Sequence, residues 1–319
     1  MHLLLHLYSV FLYLDLGVAL KIASSLVWIE HTPQPYAIRN FYRGVTPANL
    51  TSGGVANLGN DTTIDVAANA ETQGLKQYAN HRNIRLIYII CEVAYRIVAD
   101  RSKGINELKD LEGKNIGSIR GTSAAVFIHN MMSSVGVMDE DYTLIEGRCV
   151  CIDVCMKSPC ASNTLTSQLQ SGAIEAFGIW EPAVELGAQA LGPNAVLFKN
   201  ASIYREVYAL YSTTEALSDP RRRSDIVEFV RALNKTINVF DKDAEKADVY
   251  GFVAREVGMD VPVVKAVWGD HKWGGRWDNK DLVEFLVDED AYLAKVDKRQ
   301  VVPRQDLEKF LDTSVLDEL

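Results

Sequence analysis

The chain has 319 residues, 48% of them hydrophobic and 24% charged, enough apolar material to bury two modest cores and unlike a disordered segment. Its formal net charge is −9, and its Lys and Arg residues are scattered apart from Arg221-Arg222-Arg223, which follows a Pro and reads as a loop. Phosphate binding needs a clustered basic face, so the charge pattern argues against nucleic acid as a partner.

Residues 1–20 form an apolar leader without the Lys or Arg of a typical signal-peptide start, and Asp15 interrupts the run. Whether it is a signal peptide or a misplaced start stays open, and with it a secreted or periplasmic against a cytoplasmic location. The β-branched run after Lys21 predicts a strand, the stretch Tyr36 to Tyr42 a short helix, and Thr46 to Asp61 a small helix with loops. A strand at Ile64 to Ala67, a helix at Glu71 to Ala79 and a strand at Ile84 to Ile90 follow, an alternation expected of a mostly parallel sheet with helices on its faces. A second set begins at Glu92 to Asp100. It continues with a strand in Lys109 to Ile119, a Gly-started helix from Gly121, a strand at Tyr142 to Ile145, a helix at Leu165 to Gln170, a strand at Ile174 to Trp180, a helix at Ala183 to Leu191 and a strand at Val196 to Phe198. After a strand-like Arg205 to Thr213 the chain reads as helices: Arg223 to Phe240, Ala244 to Val257, Val261 to Trp268, Asn279 to Val296 and Arg304 to Leu311. The Trp-rich run around Trp268, His271, Trp273 and Trp277 reads as a loop against them.

Leu108-Lys109-Asp110-Leu111-Glu112-Gly113-Lys114-Asn115-Ile116-Gly117, with Gly121-Thr122-Ser123-Ala124 behind it, resembles the D-L-x-G-K-x-I-G and G-T-S segment of the solute-binding proteins of nitrate, sulfonate and taurine ABC transporters (SsuA-like). Leu169-Gln170-Ser171-Gly172-Ala173-Ile174-Glu175-Ala176 is similar to that family's L-x-x-G-x-I-D-A, followed by Trp180-Glu181-Pro182, and Ile64-Asp65-Val66-Ala67 matches earlier in the chain. The resemblance implies an α/β protein of the type II periplasmic-binding-protein fold: two α/β lobes joined by two crossover hinges, with a helical C-terminal extension. Lobe 1 would be residues 21–95 plus 209–319 and lobe 2 residues 96–208. It implies a small-molecule ligand in the cleft, such as a sulfonate, nitrate or pyrimidine, and a membrane permease as partner.

In such a cleft the ligand meets strand ends and helix starts. Gly121, Thr122 and Ser123 sit between a strand and a helix, where free N–H groups, two hydroxyls and the helix dipole could hold an anion; plain capping of the helix is the other reading. Asn69 and Glu71 follow the strand of the first lobe. Trp28, Glu30 and His31 follow the first strand, and Trp180 with Glu181 a late one, offering aromatic walls with polar tips. Tyr204 and Arg205 precede the return crossover, where the Arg could pair with a ligand anion or with a neighbouring carboxylate. Glu30, Glu71 and Glu181 together disfavour a bare anion and favour an amine-bearing or heteroaromatic ligand.

The alternative is an enzyme of the thiamin pyrimidine-precursor synthase type, which resembles the same binders. The positions matching that family's Schiff-base Lys and sacrificial His are here Asn69 and Gln73, so the resemblance implies no catalytic residue and no cofactor. No metal site is expected. Cys149, Cys151, Cys155 and Cys160 are weak candidates for a soft metal, and incidental thiols are the plainer reading.

Overall fold

The computed structural model of the protein describes residues 19–147, 164–275 and 279–319. The expectations for the leader up to residue 18, for Cys149, Cys151, Cys155 and Cys160, and for Trp277 lie outside the described residues. Among the described residues no helix is long and apolar enough to cross a membrane.

Two sheets form. The first holds β1 (Leu20–Ser24), β2 (Ala48–Ser52), β3 (Val66–Ala70) and β4 (Ile84–Val93); the second then takes β5 (Arg96–Asp100), β6 (Asn115–Ser118), β7 (Thr143–Glu146), β8 (Ala176–Ile179) and β9 (Ala195–Phe198). The chain returns to the first with β10 (Glu206–Thr213) and β11 (His271–Trp273). The six-stranded sheet runs β11-β4-β10-β3-β1-β2 and the five-stranded sheet β7-β6-β8-β5-β9.

Both sheets are mixed, which corrects the expectation of mostly parallel ones. β1 pairs parallel with β2 and β3, and β6 with β7 and β8, as helical crossovers require. The antiparallel pairs β10–β3, β10–β4, β5–β8 and β5–β9 come from the two passages between sheets. The chain leaves the first sheet along β4 and comes back along β10, so these neighbours run in opposite directions.

Helices α1 (Pro33–Asn40), α2 (Ala56–Asn60) and α3 (Glu71–Asn80) belong to the first lobe, and α4 (Ser123–Ser133), α5 (Leu165–Ser171) and α6 (Ala183–Leu191) to the second. The tail adds α7 (Thr214–Ser218), α8 (Pro220–Lys242), α9 (Val249–Val257), α10 (Val261–Val267), α11 (Asn279–Asp297) and α12 (Arg304–Phe310). It packs back on the first sheet: Leu311, just past α12, bridges Leu86 of β4.

Three local expectations are corrected. Ala48–Ser52 is an edge strand, not loop, because β1 offers it a free parallel edge. His271–Trp273 is a strand on the opposite edge, paired with Val93, Glu92 and Cys91. Arg221–Arg223 are not in a loop but in the first turn of α8: Pro220 starts the helix, and the Asp219 carboxylate accepts from the Arg221 and Arg222 amides. Arg222 then reaches Asp65 and the Ile64 carbonyl, fastening α8 to the foot of β3.

The second core is thinner. α6 lies so close to the sheet that a Cβ on Gly187 would stand 2.5 Å from the Phe177 ring. Gly187→Ala is expected to lower stability by about 1–3 kcal/mol through overpacking; a chemical-denaturation curve unchanged from the parent would show that the helix can back away.

Candidate functional site

The two lobes meet over a buried set of aromatic and carboxyl side chains. Trp28, just before the short turn of helix Ile29–His31, meets Trp180 at the end of β8 edge to face, with centroids 5.2 Å apart. Behind this gate, register decides what faces inward. Glu206 of β10 and His271 of β11 both pair with Val93 of β4, so they lie in one row on one face of the first sheet. Tyr208 follows Glu206 by two residues on that face, and His31 stacks on its ring at 4.7 Å. The Tyr208 hydroxyl is held by Ser24 and Gln34.

Four carboxyl groups converge there. Glu30 is buried, with Oε1 3.9 Å from His31 Nε2 and Oε2 3.8 Å from His271 Nε2. Glu206 is supported by the hydroxyls of Tyr95 and Ser123, themselves 3.0 Å apart across the lobe junction. Glu71, the first residue of α3, accepts from the Tyr204 hydroxyl at 2.7 Å and the Val207 amide at 2.6 Å. Glu289 of α11 presses on Glu71 beside the Tyr204 hydroxyl, and neither of its oxygens has a well-formed hydrogen bond.

Burial pushes Glu206 and Glu289 well above the usual carboxyl range, and each is raised further by the charge of its carboxylate neighbours. Burial raises Glu71 too, against the pull of its two donors. Two facing carboxyl groups cannot both ionise in so dry a place; Glu71 has the donors that suit an anion, so the proton stays on Glu289. Burial also holds the His31 imidazole down at about 4, so it is uncharged at neutral pH. Several buried polar atoms have no partner: Glu30 Oε2, Glu206 Oε2, His31 Nδ1, His271 Nε2 and Trp180 Nε1.

The residues expected from sequence divide into two groups. Trp28, Glu30, His31, Ser123 and Trp180 come together at the junction, with Glu71 and Tyr204 beside them. The others are engaged elsewhere. The Asn69 side-chain oxygen accepts from the Val55 amide at 2.8 Å. The Gly121 carbonyl accepts from Gln73 and Lys76 of the first lobe, at the positive φ of 66° that a glycine allows. Thr122 donates its hydroxyl to the Ile119 carbonyl. Glu181 is paired with Arg96 at 2.7 Å, and Arg205 lies 3.5 Å from Glu92, beside a surface groove of about 380 Å³. Sequence reading missed Glu206, Glu289, Tyr95, Tyr208 and His271. A signal existed for two of them: Glu206 is an acid in a strand otherwise buried on both faces, and Glu289 falls on the apolar row Leu282, Leu286, Leu293 of α11.

The comparisons agree with this architecture. The family described as "NMT1/THI5 like" matches residues 51–247. The chain belongs to that family. A relative from Bacillus subtilis (strain 168), named "Putative aliphatic sulfonates-binding protein", is 24% identical over 226 residues, which is 68% of this chain and 62% of the relative. The match thus spans less than two thirds of the relative's length. Among solved structures, the alkanesulfonate-binding protein SsuA from Xanthomonas axonopodis pv. citri bound to MOPS superposes with a TM-score of 0.71 at 13% identity, over 93% of this chain and 99% of that one. The desulfurization enzyme DSZB superposes with a TM-score of 0.61 at 14% identity, over 94% and 98%. The fold is therefore that of the periplasmic binding proteins, as the sequence motifs implied, and it is one that binding proteins share with an enzyme.

Two pH effects of opposite sign follow from the buried groups. His31 titrates lower in the folded chain than its ordinary 6.5, so its contribution is complete above pH 6.5 and is lost as pH falls toward 4, about 3 kcal/mol in all. His31→Phe should remove that acid-side slope in melting temperature while keeping the stack on Tyr208; a slope of equal size in both proteins would contradict the assignment. Glu289 titrates higher when folded, so its contribution is complete below about pH 4.5 and is lost as pH rises. Glu289→Gln should therefore melt above the parent at pH 8, with the difference shrinking toward pH 5; equal melting at both would place the proton elsewhere.

Proposed function

We propose that this chain is a solute-binding protein whose two lobes close over a small polar metabolite, with hinges at Ala94–Tyr95 and Lys199–Arg205, where the chain passes between sheets. The observation that carries this reading is the buried lobe junction itself. An aromatic gate of one Trp from each lobe covers polar atoms that have lost water and gained no protein partner. A cost of that kind is offset when a ligand supplies the missing hydrogen bonds on closure.

The relatives give the size class. The names of the Bacillus and Xanthomonas proteins state sulfonates for those proteins, and a small ligand of that class would be received where Trp28, His31, Ser123 and Trp180 come together. A membrane permease and a secreted or periplasmic setting belong to the same reading. Among the described residues the cysteine is Cys91; it is fully buried, and burial with Glu30 and Glu206 pushes it well above its ordinary range, which disfavours a thiolate nucleophile there.

Closure is supported by contacts between the lobes away from the hinges. The Gly121 carbonyl of the second lobe accepts from Gln73 and Lys76 of the first, and the His129 ring of α4 packs at a tilt against Tyr292 of α11, with centroids 4.6 Å apart. A thermal-shift screen of sulfonates, amino acids, amines and pyrimidines, followed by calorimetry, tests the proposal. A hit should bind at least about tenfold more weakly to Trp28→Ala and to Trp180→Ala, the loss of roughly 1.4 kcal/mol of aromatic contact. Undiminished affinity in both variants would put the ligand elsewhere, and turnover of the hit would move the chain to the enzyme side of the fold.

A further inference from the structure

We infer that the ligand of this cleft carries a protonated nitrogen, received between Glu30, Glu206 and His271, and that the cleft rejects the bare sulfonates named for the relatives. The inference rests on the binding reading above and sets the charge of the ligand.

The place where an anion would dock is already taken by the protein's own acid. Ser123 opens α4, the helix start that would attract a negative group, and its hydroxyl together with that of Tyr95 supports the Glu206 carboxyl. A sulfonate at the same spot would have to displace that carboxyl group from its two hydroxyls, and it would bring further acceptors toward Glu30 Oε2 and His271 Nε2, which already lack a donor. The cations at the junction do not relieve this: Arg96 is paired with Glu181 and Glu185, Lys199 with Asp270, and Lys76 with Asp297.

The unpartnered atoms ask for a donor. His271 Nδ1 lies 3.0 Å from the Val267 carbonyl, which can only accept, so Nδ1 carries a proton. In the uncharged ring Nε2 is then an acceptor, and it faces Glu30 Oε2, also without a partner, at 3.8 Å. Two acceptors turned on one another are satisfied by a group with several N–H bonds placed beside both, as an ammonium has. The rings of Trp28, Trp180 and Tyr208 supply apolar walls and π faces that favour a cation over an anion. An organic nitrogen fits better than a metal ion: among the described residues no group of three or more His, Cys, Asp or Glu is arranged to hold one.

Matched probes separate charge from shape. Linear amines and linear alkanesulfonates, each from ethyl to hexyl, are compared with the wild-type chain at neutral pH by thermal shift and calorimetry, with small-angle scattering to read lobe closure. Expected are stabilisation and compaction by amines, none by sulfonates of the same length, and at least about tenfold weaker amine binding in Glu206→Gln and in Glu30→Gln. Sulfonates that stabilise and compact the protein while amines do not would overturn the inference and leave the binding reading standing. Neither series acting, by any of the three readouts, would overturn both. The wild-type contrast decides the matter even where a variant fails to fold.

Discussion

Carboxyl groups buried between two lobes need a proton, a donor or a cation, and the rest of this molecule is arranged around that need. Ionised carboxylates in a dry interior repel one another strongly and lose their hydration. Here Glu71 has a tyrosine hydroxyl and an amide, Glu206 has Tyr95 and Ser123, Glu289 leans on Glu71, and Glu30 has two imidazoles at ion-pair distance but no hydrogen bond. The series passes from groups fully supplied by the protein to one that is not, and the least supplied end lies behind the Trp28–Trp180 gate.

β10 does most of the positioning. It is the return passage between lobes, so its first residues necessarily lie at the junction, and its pairing with β4 sets which of them face the cleft. Glu206 and Tyr208 face inward, while Val207 lends its amide to Glu71. β11 completes the row with His271. α11, packed against α3 and reaching α4, closes the far side with Glu289. Hinge, sheet edge and C-terminal helix thus converge on one cluster. On the proposed reading, closure of the lobes favours the protonated acids, because it removes the water that their ionised forms need.

The fold was legible in the sequence to the extent that local signals agree with it. The motif at Leu108 to Ala124 and the one at Leu169 to Ala176 lie where a strand feeds a helix, and their glycines meet real steric demands, such as the positive φ of Gly121. The strand Ala48–Ser52 was not legible, because its residues are half exposed and show no clean alternation; it is a strand because β1 has an edge to fill. The inward residues from strand and helix ends, Trp28, Glu30, His31, Ser123 and Trp180, could be named from topology alone. Glu206, His271 and Glu289 could not be joined to them, because their meeting depends on strand register across the return crossover and on where a C-terminal helix comes to rest, neither of which is written locally. The same ignorance of long-range pairing made Glu181 and Arg205 look available, when Arg96 and Glu92 hold them.

The protonation of the buried cluster is measured most directly by titrating the glutamate side-chain carboxyl carbons by NMR in glutamate-labelled, ligand-free protein, with Glu206→Gln and Glu289→Gln used to assign the signals. Both residues are expected to keep their protons at neutral pH, with chemical shifts of the acid form, while the surface glutamates ionise in their ordinary range. If every glutamate has ionised well below neutral pH, the dry carboxyl cluster does not exist in solution as described.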